Sequence, residues 1–161
     1  MSDPVVEPIT AAVIDPIEKL RREILRRLTN VLQLGQIQLE NENAPAVLPY
    51  VRFTIAQAGD FSFDSQKRMS RIVIAEFDII GESLSGTREI ASIAASIENE
   101  FGLFSRIDES RQIALTGTGG SATIELYGRG SAATEKDTGL YYHPVLLYIR
   151  LTLGDNEESE R

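Results

Sequence analysis

The chain has 161 residues, of which 42% are hydrophobic and 25% charged, and its formal net charge at pH 7 is −8. This composition is typical of a globular protein long enough to bury a sizeable core, and the acidic balance argues against nucleic-acid binding by counterion release, which needs a basic surface. The chain has no cysteine, so disulfides and thiolate metal sites are excluded. No apolar run reaches the ~18–20 residues of a membrane span, and the start MSDPVVEPIT lacks the regions of a secretory signal.

The sequence predicts three parts: an N-terminal arm at 1–14, a single α+β domain at 15–154, and a disordered acidic tail at 155–161. The arm contains prolines, acids and scattered valines and isoleucines. It is either a mobile terminus or a segment that docks on a neighbouring subunit. The tail is charged and has no apolar pattern, which is typical of disorder.

The first predicted helix begins at Asp15-Pro16, because Asp is a favoured N-cap and Pro is tolerated at the first helical position. Gly35 is the expected stop. The buried stripe is predicted at Ile17, Leu20, Ile24, Leu28 and Val31, widened by Leu25 and Leu32. The opposite face is basic and consists of Lys19, Arg21, Arg22, Arg26 and Arg27.

Two interpretations of this basic face remain open. It is either a solvated helix face, paired internally to Glu18 and Glu23 at four-residue spacing, or a docking face for an acidic partner. Under the second interpretation Arg22, Arg26 and Arg27 are interaction residues.

Two central strands follow, predicted at Tyr50–Gln57 and Arg71–Ile80 from their alternation of apolar and polar residues. Between them, 58–70 is predicted as a long polar loop. A loop of this length inside a compact domain is usually functional or disordered. Phe61 and Phe63 within it indicate an ordered contact, and we include the adjacent Asp64 as a further interaction residue.

The second helix is predicted from apolar residues at three- and four-residue spacing, ending at Gly102. Two more strands are expected at Ala122–Gly128 and Tyr142–Leu153, and Gln112–Leu115 is a candidate for a further short strand. The sequence therefore predicts an α+β fold: a mixed, mainly antiparallel sheet of about four strands with two helices packed on it. The expected shared core is Val73, Phe77, Ile93, Ile97, Leu147 and Ile149.

No catalytic chemistry is predicted. The segment 81–87, GESLSGT, has the glycine spacing of a phosphate loop but lacks the lysine that such a loop needs. Around Ser83 the nucleophile-elbow spacing is off by one residue, and His143, the only histidine, is expected to be structural. Glu76 and Asp78 share one face of a strand with isoleucines and have no basic partner in the sequence, so we expect exposed strand acids. No catalytic, cofactor-binding or metal-ligating residue is assigned.

A resemblance rests on the order of the elements. The basic amphipathic helix, the PYV strand at 49–51, the helix GTREIASIAASIENEF and the final strand GLYYHPVLLYIRLTL follow one another in the chain. This arrangement resembles the tail terminator, or tail completion, proteins of tailed bacteriophages and the related terminators of gene transfer agents. The resemblance covers 16–153, whereas the N-terminal arm and the longer segment 103–121 depart from it.

The resemblance implies a non-enzymatic virion protein, assembled in the bacterial host cytoplasm, that forms a homohexameric ring. Such a ring caps the tail tube, stops its polymerisation and offers a surface to head–tail connector or neck proteins. Genomic DNA would pass through the lumen without specific binding, with no cofactor and no membrane. The alternatives are another tail or neck component, such as a tube subunit or head–tail connector, and a small α/β ligand-binding module.

Overall fold

A computed structural model of the protein describes residues 15–45, 47–63, 68–82, 87–101, 111–130, 133–134 and 139–153. The predicted arm at 1–14 and tail at 155–161 lie outside these residues, and the predicted division into three parts stays a prediction. The described elements are two α-helices, a short 3-10 helix at Leu34–Gln36 and seven strands: α1 Pro16–Leu28, β1 Ile37–Gln38, β2 Tyr50–Phe63, β3 Met69–Gly81, α2 Thr87–Glu100, β4 Gln112–Leu115, β5 Gly120–Arg129, β6 Ala133–Thr134 and β7 Tyr141–Leu153.

The strands form one mixed sheet in the order β1-β2-β3-β7-β5-β4, and β6 also pairs with β7. Every pairing is antiparallel except that of β1 with β2. The α+β class with two helices is as predicted, but the expected number of about four strands is wrong. The two strands that no pattern indicated, β1 and β6, have two residues each, which is too short for an alternation to be visible.

The predicted loop at 58–70 is largely strand. β2 continues to Phe63 and β3 begins at Met69, with a register shift between Ala58 and Ser62. Such a bulge inserts extra residues and interrupts the two-residue alternation that marks a strand in sequence. The central strands are therefore longer than predicted, and the connection between them is shorter.

Helix α1 begins as predicted, because the Asp15 side chain accepts a hydrogen bond of 3.0 Å from the Ile17 N–H. It ends at Leu28 and not near Gly35. The Thr29 hydroxyl donates to the Arg26 carbonyl at 2.6 Å, and side chains that compete for backbone groups in this way favour helix ends.

The core lies between the sheet and both helices. Of the six predicted core residues, Ile93 is only partly buried, and the other five have no exposed surface: Val73, Phe77, Ile97, Leu147 and Ile149. Phe77 stacks on Phe53 of β2 and on Phe101 after α2, with ring centroids 5.3 and 5.7 Å apart. Odd-numbered residues of β3 thus face the helices. Among the described elements, no helix is long and apolar enough to cross a membrane.

Candidate assembly surfaces

The side of the sheet away from the core carries no helix among the described residues. Because side chains alternate along a strand and directly paired residues share a face, the even-numbered residues of β3 and their partners lie here. We call this surface the helix-free face and define it by Ile72, Ile74, Glu76, Asp78, Leu146 and Tyr148. All six except Asp78 are partly exposed. A half-exposed apolar sheet face is typical of an interaction surface.

At one end of the helix-free face lies a carboxyl pair. Asp78 is only 6% exposed, and Arg52, directly opposite on β2, places its Nη2 at 3.2 Å from the Asp78 Oδ2. The expectation of an exposed acid without a basic partner is therefore wrong for Asp78. Arg52 precedes Asp78 by 26 residues, so only the strand register brings the two together.

Glu76 differs from Asp78 in its charged surroundings. Burial raises the pKa of Glu76, and the charge of Asp78 and the hydrogen bond with it raise that pKa further, whereas Arg52 lowers it. Within the described part of the chain, no ion pair joins Glu76 to a lysine or arginine. The helix-free face thus contains one carboxyl without a cation of its own.

At the other end of the sheet, Arg150 forms hydrogen bonds with two side chains. Its guanidinium donates to both carboxylate oxygens of Glu125 and, at 2.8 Å, to the Ser70 hydroxyl. The hydrogen bond with Glu125 raises the pKa of Arg150. The charge of Arg150 is therefore paired with a carboxylate of the same chain.

The exposed face of α1 carries two of the predicted interaction residues. The side chains of Arg22 and Arg26 are 71% and 64% exposed, and they pair with Glu18 at 3.6 Å and Glu23 at 3.0 Å. Exposed pairs of this kind contribute about 0–1 kcal/mol. Both arginines are therefore available to a partner at little cost.

Arg27 lies elsewhere. Its Nη2 donates to the Glu100 carbonyl at 2.6 Å, and its guanidinium carbon lies 4.6 Å from the centroid of the Phe101 ring. Burial lowers the pKa of Arg27, and the charge of Glu100 opposes this. Arg27 thus joins α1 to the C-terminal end of α2, where a cation is also favoured by the helix dipole. Its expected place on the exposed basic face is wrong.

The outer edge of β2 is the third surface. Strand β1 pairs only with Val51 and Arg52, and beyond them no described strand pairs with this side of β2. Glu40 accepts a hydrogen bond of 3.0 Å from the Ile55 N–H and pairs with Arg21 at 3.2 Å. A side chain that covers an edge amide in this way limits uncontrolled pairing.

The remaining predicted residues lie at the end of the β2–β3 hairpin. The backbone of Phe63 pairs with Met69, and Phe61 lies within the β2 register shift. The side chains of both phenylalanines, and Asp64 altogether, lie outside the described residues. Their role as interaction residues stays a prediction.

The sequence features that imitate catalytic motifs have structural roles where they are described. Gly81 ends β3 and pairs with Tyr141, and a Cβ there would lie 2.8 Å from the Ile90 Cδ1 atom, so a larger residue would force the Ile90 side chain of α2 to shift. Residues 83–86 lie outside the described part. Within that part, no three His, Asp or Glu residues are grouped to hold a metal ion.

His143 lies at the helix side of β7, opposite Ile79. Nearby, the 3% exposed Glu98 of α2 accepts a hydrogen bond of 2.7 Å from Arg129. Burial lowers the pKa of His143, as does the charge of Arg129, whereas Glu98 raises it. Its Nε2 is buried and has no hydrogen-bond partner within the described part of the chain.

No known protein-family pattern matches the chain, and no curated protein matches its sequence. Among solved structures, the chain is similar to a component of the virion of a native gene transfer agent particle. The TM-score is 0.55 at 9% identity, and the match covers 83% of this chain and 94% of that one. A second solved protein, which bears no functional name, matches with a TM-score of 0.54 at 14% identity, over 84% of this chain and 94% of that one. At such identities the likeness shows a common fold.

Proposed function

We propose that the protein is a structural component of a phage-like virion, and specifically a tail terminator. In this role it forms a homohexameric ring that caps the tail tube, stops its polymerisation and provides the head–tail joining surface. The observation that carries the proposal is the fold likeness to a gene transfer agent virion chain, which spans 94% of that chain. It agrees with the order of elements in the sequence.

The surfaces of the chain support the proposal that it assembles with other copies of itself. The helix-free face and the outer edge of β2 are different surfaces of one chain, and contacts between unlike surfaces build rings. Phe61, Phe63 and Asp64 are proposed to contact the tail tube protein or a neighbouring subunit. The net charge of −8 favours passage of DNA without adhesion, because like charges repel. The proposal requires no cofactor, no membrane and no enzymatic activity.

Two measurements test this function. Native mass spectrometry of the purified chain should give a complex of six copies, and electron microscopy should show a closed ring with a central hole. In a producing strain without the gene, tails should have uncontrolled length and should not join heads. A chain that stays monomeric at all concentrations, with normal tails in its absence, would contradict the proposal.

The alternatives give different results in the same experiments. A tube subunit would polymerise into long tubes, and a head–tail connector would bind heads while tail length stays normal. A small ligand-binding module would remain monomeric and would be absent from purified particles.

A further inference from the structure

The helix-free face is incomplete in the isolated subunit. Ile74, Leu146 and Tyr148 are partly exposed around Glu76. Arg52 is paired with Asp78, and Arg150 with Glu125. An apolar cover alone would bury the Glu76 carboxylate with Asp78 as its hydrogen-bond partner and without an ion pair of its own, which is costly for a charged group. A covering surface that brings a cation would offset this cost.

The same chain offers such cations on its other side. Both helices pack on the opposite side of the sheet, and α1 projects Arg22 and Arg26 outward at four-residue spacing, so both lie on one side of the helix. A guanidinium matches the geometry of a carboxylate through two parallel hydrogen bonds. The present partners of these arginines are Glu18, which is exposed, and Glu23, which is partly exposed, on the same helix, and pairs whose arginines face solvent are readily exchanged.

We propose that the helix-free face of one copy receives α1 of the next copy, with Arg22 and Arg26 directed at Glu76. The proposal rests on the ring function and names its subunit contact. The two surfaces differ, so the contact is head-to-tail and can be repeated until a ring closes. In the ring every sheet has helices on both faces, which completes the burial of its apolar side chains.

Other partners for these two surfaces would leave more charged side chains without an ion pair. Two helix-free faces packed on each other would bring together two Glu76 carboxyls without adding a free cation, and that symmetric contact stops at a dimer. An acidic neck protein on α1 would satisfy the arginines but leave Glu76 without a cation. A second copy packed head-to-tail satisfies both surfaces.

A charge exchange in the full-length chain tests the contact. We expect Glu76→Arg, and separately the double variant Arg22→Glu with Arg26→Glu, to reduce the hexamer fraction at least tenfold in mass photometry. Combining all three changes should restore it. Glu76→Gln, which removes the charge without reversing it, should weaken the hexamer less. Glu89→Arg, a reversal at an exposed acid of α2, is the matched control and should leave the hexamer fraction unchanged.

Cross-linking provides a second readout, since the chain has no cysteine. A Glu76→Cys/Arg26→Cys variant treated with a short bismaleimide should give a ladder of bands up to the hexamer. Each single-cysteine variant should remain monomeric on the same gel. The two positions lie on opposite sides of one sheet, so a link within one chain is excluded.

The outcomes separate this contact from the ring itself. Wild-type hexamer levels in both charge-reversal variants, or loss that the combination does not restore, would overturn the contact. Circular dichroism must show that each variant is folded, and for a variant that is not, the cross-linking result decides. Absence of a wild-type hexamer would instead contradict the proposed function.

Discussion

At the scale of single residues, the structure gives charged side chains roles that their spacing did not indicate. Arg27 and Arg26 are neighbours in one basic run, yet Arg27 joins two helices and Arg26 faces solvent. The partner of Arg27 is a backbone carbonyl 73 positions away. Helical periodicity predicts which side of a helix is apolar but does not identify such partners, so Arg22 and Arg26 could be predicted as exposed, whereas the partial burial of Arg27 could not be predicted.

We expect Arg27→Ala to lower the free energy of unfolding by about 1–3 kcal/mol, because it removes a charged hydrogen bond and a cation–π contact. Arg88→Ala, at an exposed position of α2 outside the proposed contact, is the matched control, and its effect should stay within about 0.5 kcal/mol. Urea unfolding monitored by circular dichroism measures both. Equal effects of the two substitutions would contradict the structural role of Arg27.

His143 predicts a dependence of stability on pH. Its pKa is lowered in the folded protein by burial and by Arg129, whereas in the unfolded chain it is about 6.5. The unfolded state therefore binds the proton first, and stability should fall as the pH drops through about 6.5 toward the folded value. His143→Gln should lose part of this fall between about pH 8 and pH 5.5. Urea unfolding at both pH values measures it, and an unchanged pH dependence in the variant would exclude His143 as its source.

At the scale of elements, long periodic segments were predicted and short or irregular ones were not. The apolar row of β3 was predicted by its alternation, and Val73 and Phe77 are fully buried. Strand β1 was missed because a parallel edge pairing of two residues leaves no local pattern. The second half of β2 was missed because its register shift places polar residues where alternation would require apolar ones.

The packing of β3 predicts how strongly a core substitution lowers stability. Phe77→Ala should lower the free energy of unfolding by about 3–5 kcal/mol, because the ring is buried between two other phenylalanines and the substitution leaves a cavity. Ile93→Ala, at a partly buried position of α2, should cost less than half as much. Thermal or urea unfolding compares the two, and an unchanged stability of Phe77→Ala would refute the assignment of strand faces.

At the scale of the whole molecule, the arrangement of two helices on one side of a sheet followed from the order of the patterns. The order of strands did not, because β7 lies beside β3 although 60–84 residues separate their paired positions, from Gly81 with Tyr141 to Met69 with Leu153. The candidate surfaces depend on that order: the helix-free face combines β3 and β7, and neither strand alone shows it. The exposure of Arg22 and Arg26 could be predicted from the sequence, and the roles of Phe61, Phe63 and Asp64 stay predictions.

The hairpin end predicts an assembly defect. Replacing Phe61 and Phe63 by serine should leave the subunit folded but impair binding to the tail tube, because the proposed contact loses its apolar side chains. Counting capped tails in electron micrographs of lysates measures the effect. Tails of normal number and length from the variant would contradict the proposed contact.

The strand order has a consequence for biosynthesis. Translation produces β7 after all the other described strands, yet β7 lies between β3 and β5 in the sheet. A chain still on the ribosome can form the β2–β3 hairpin, but it cannot join that hairpin to β5 and β4 until β7 has emerged. Nonlocal pairing of this kind also slows folding. Chains in which β7 has not yet been made therefore lack the Leu146 and Tyr148 side of the helix-free face.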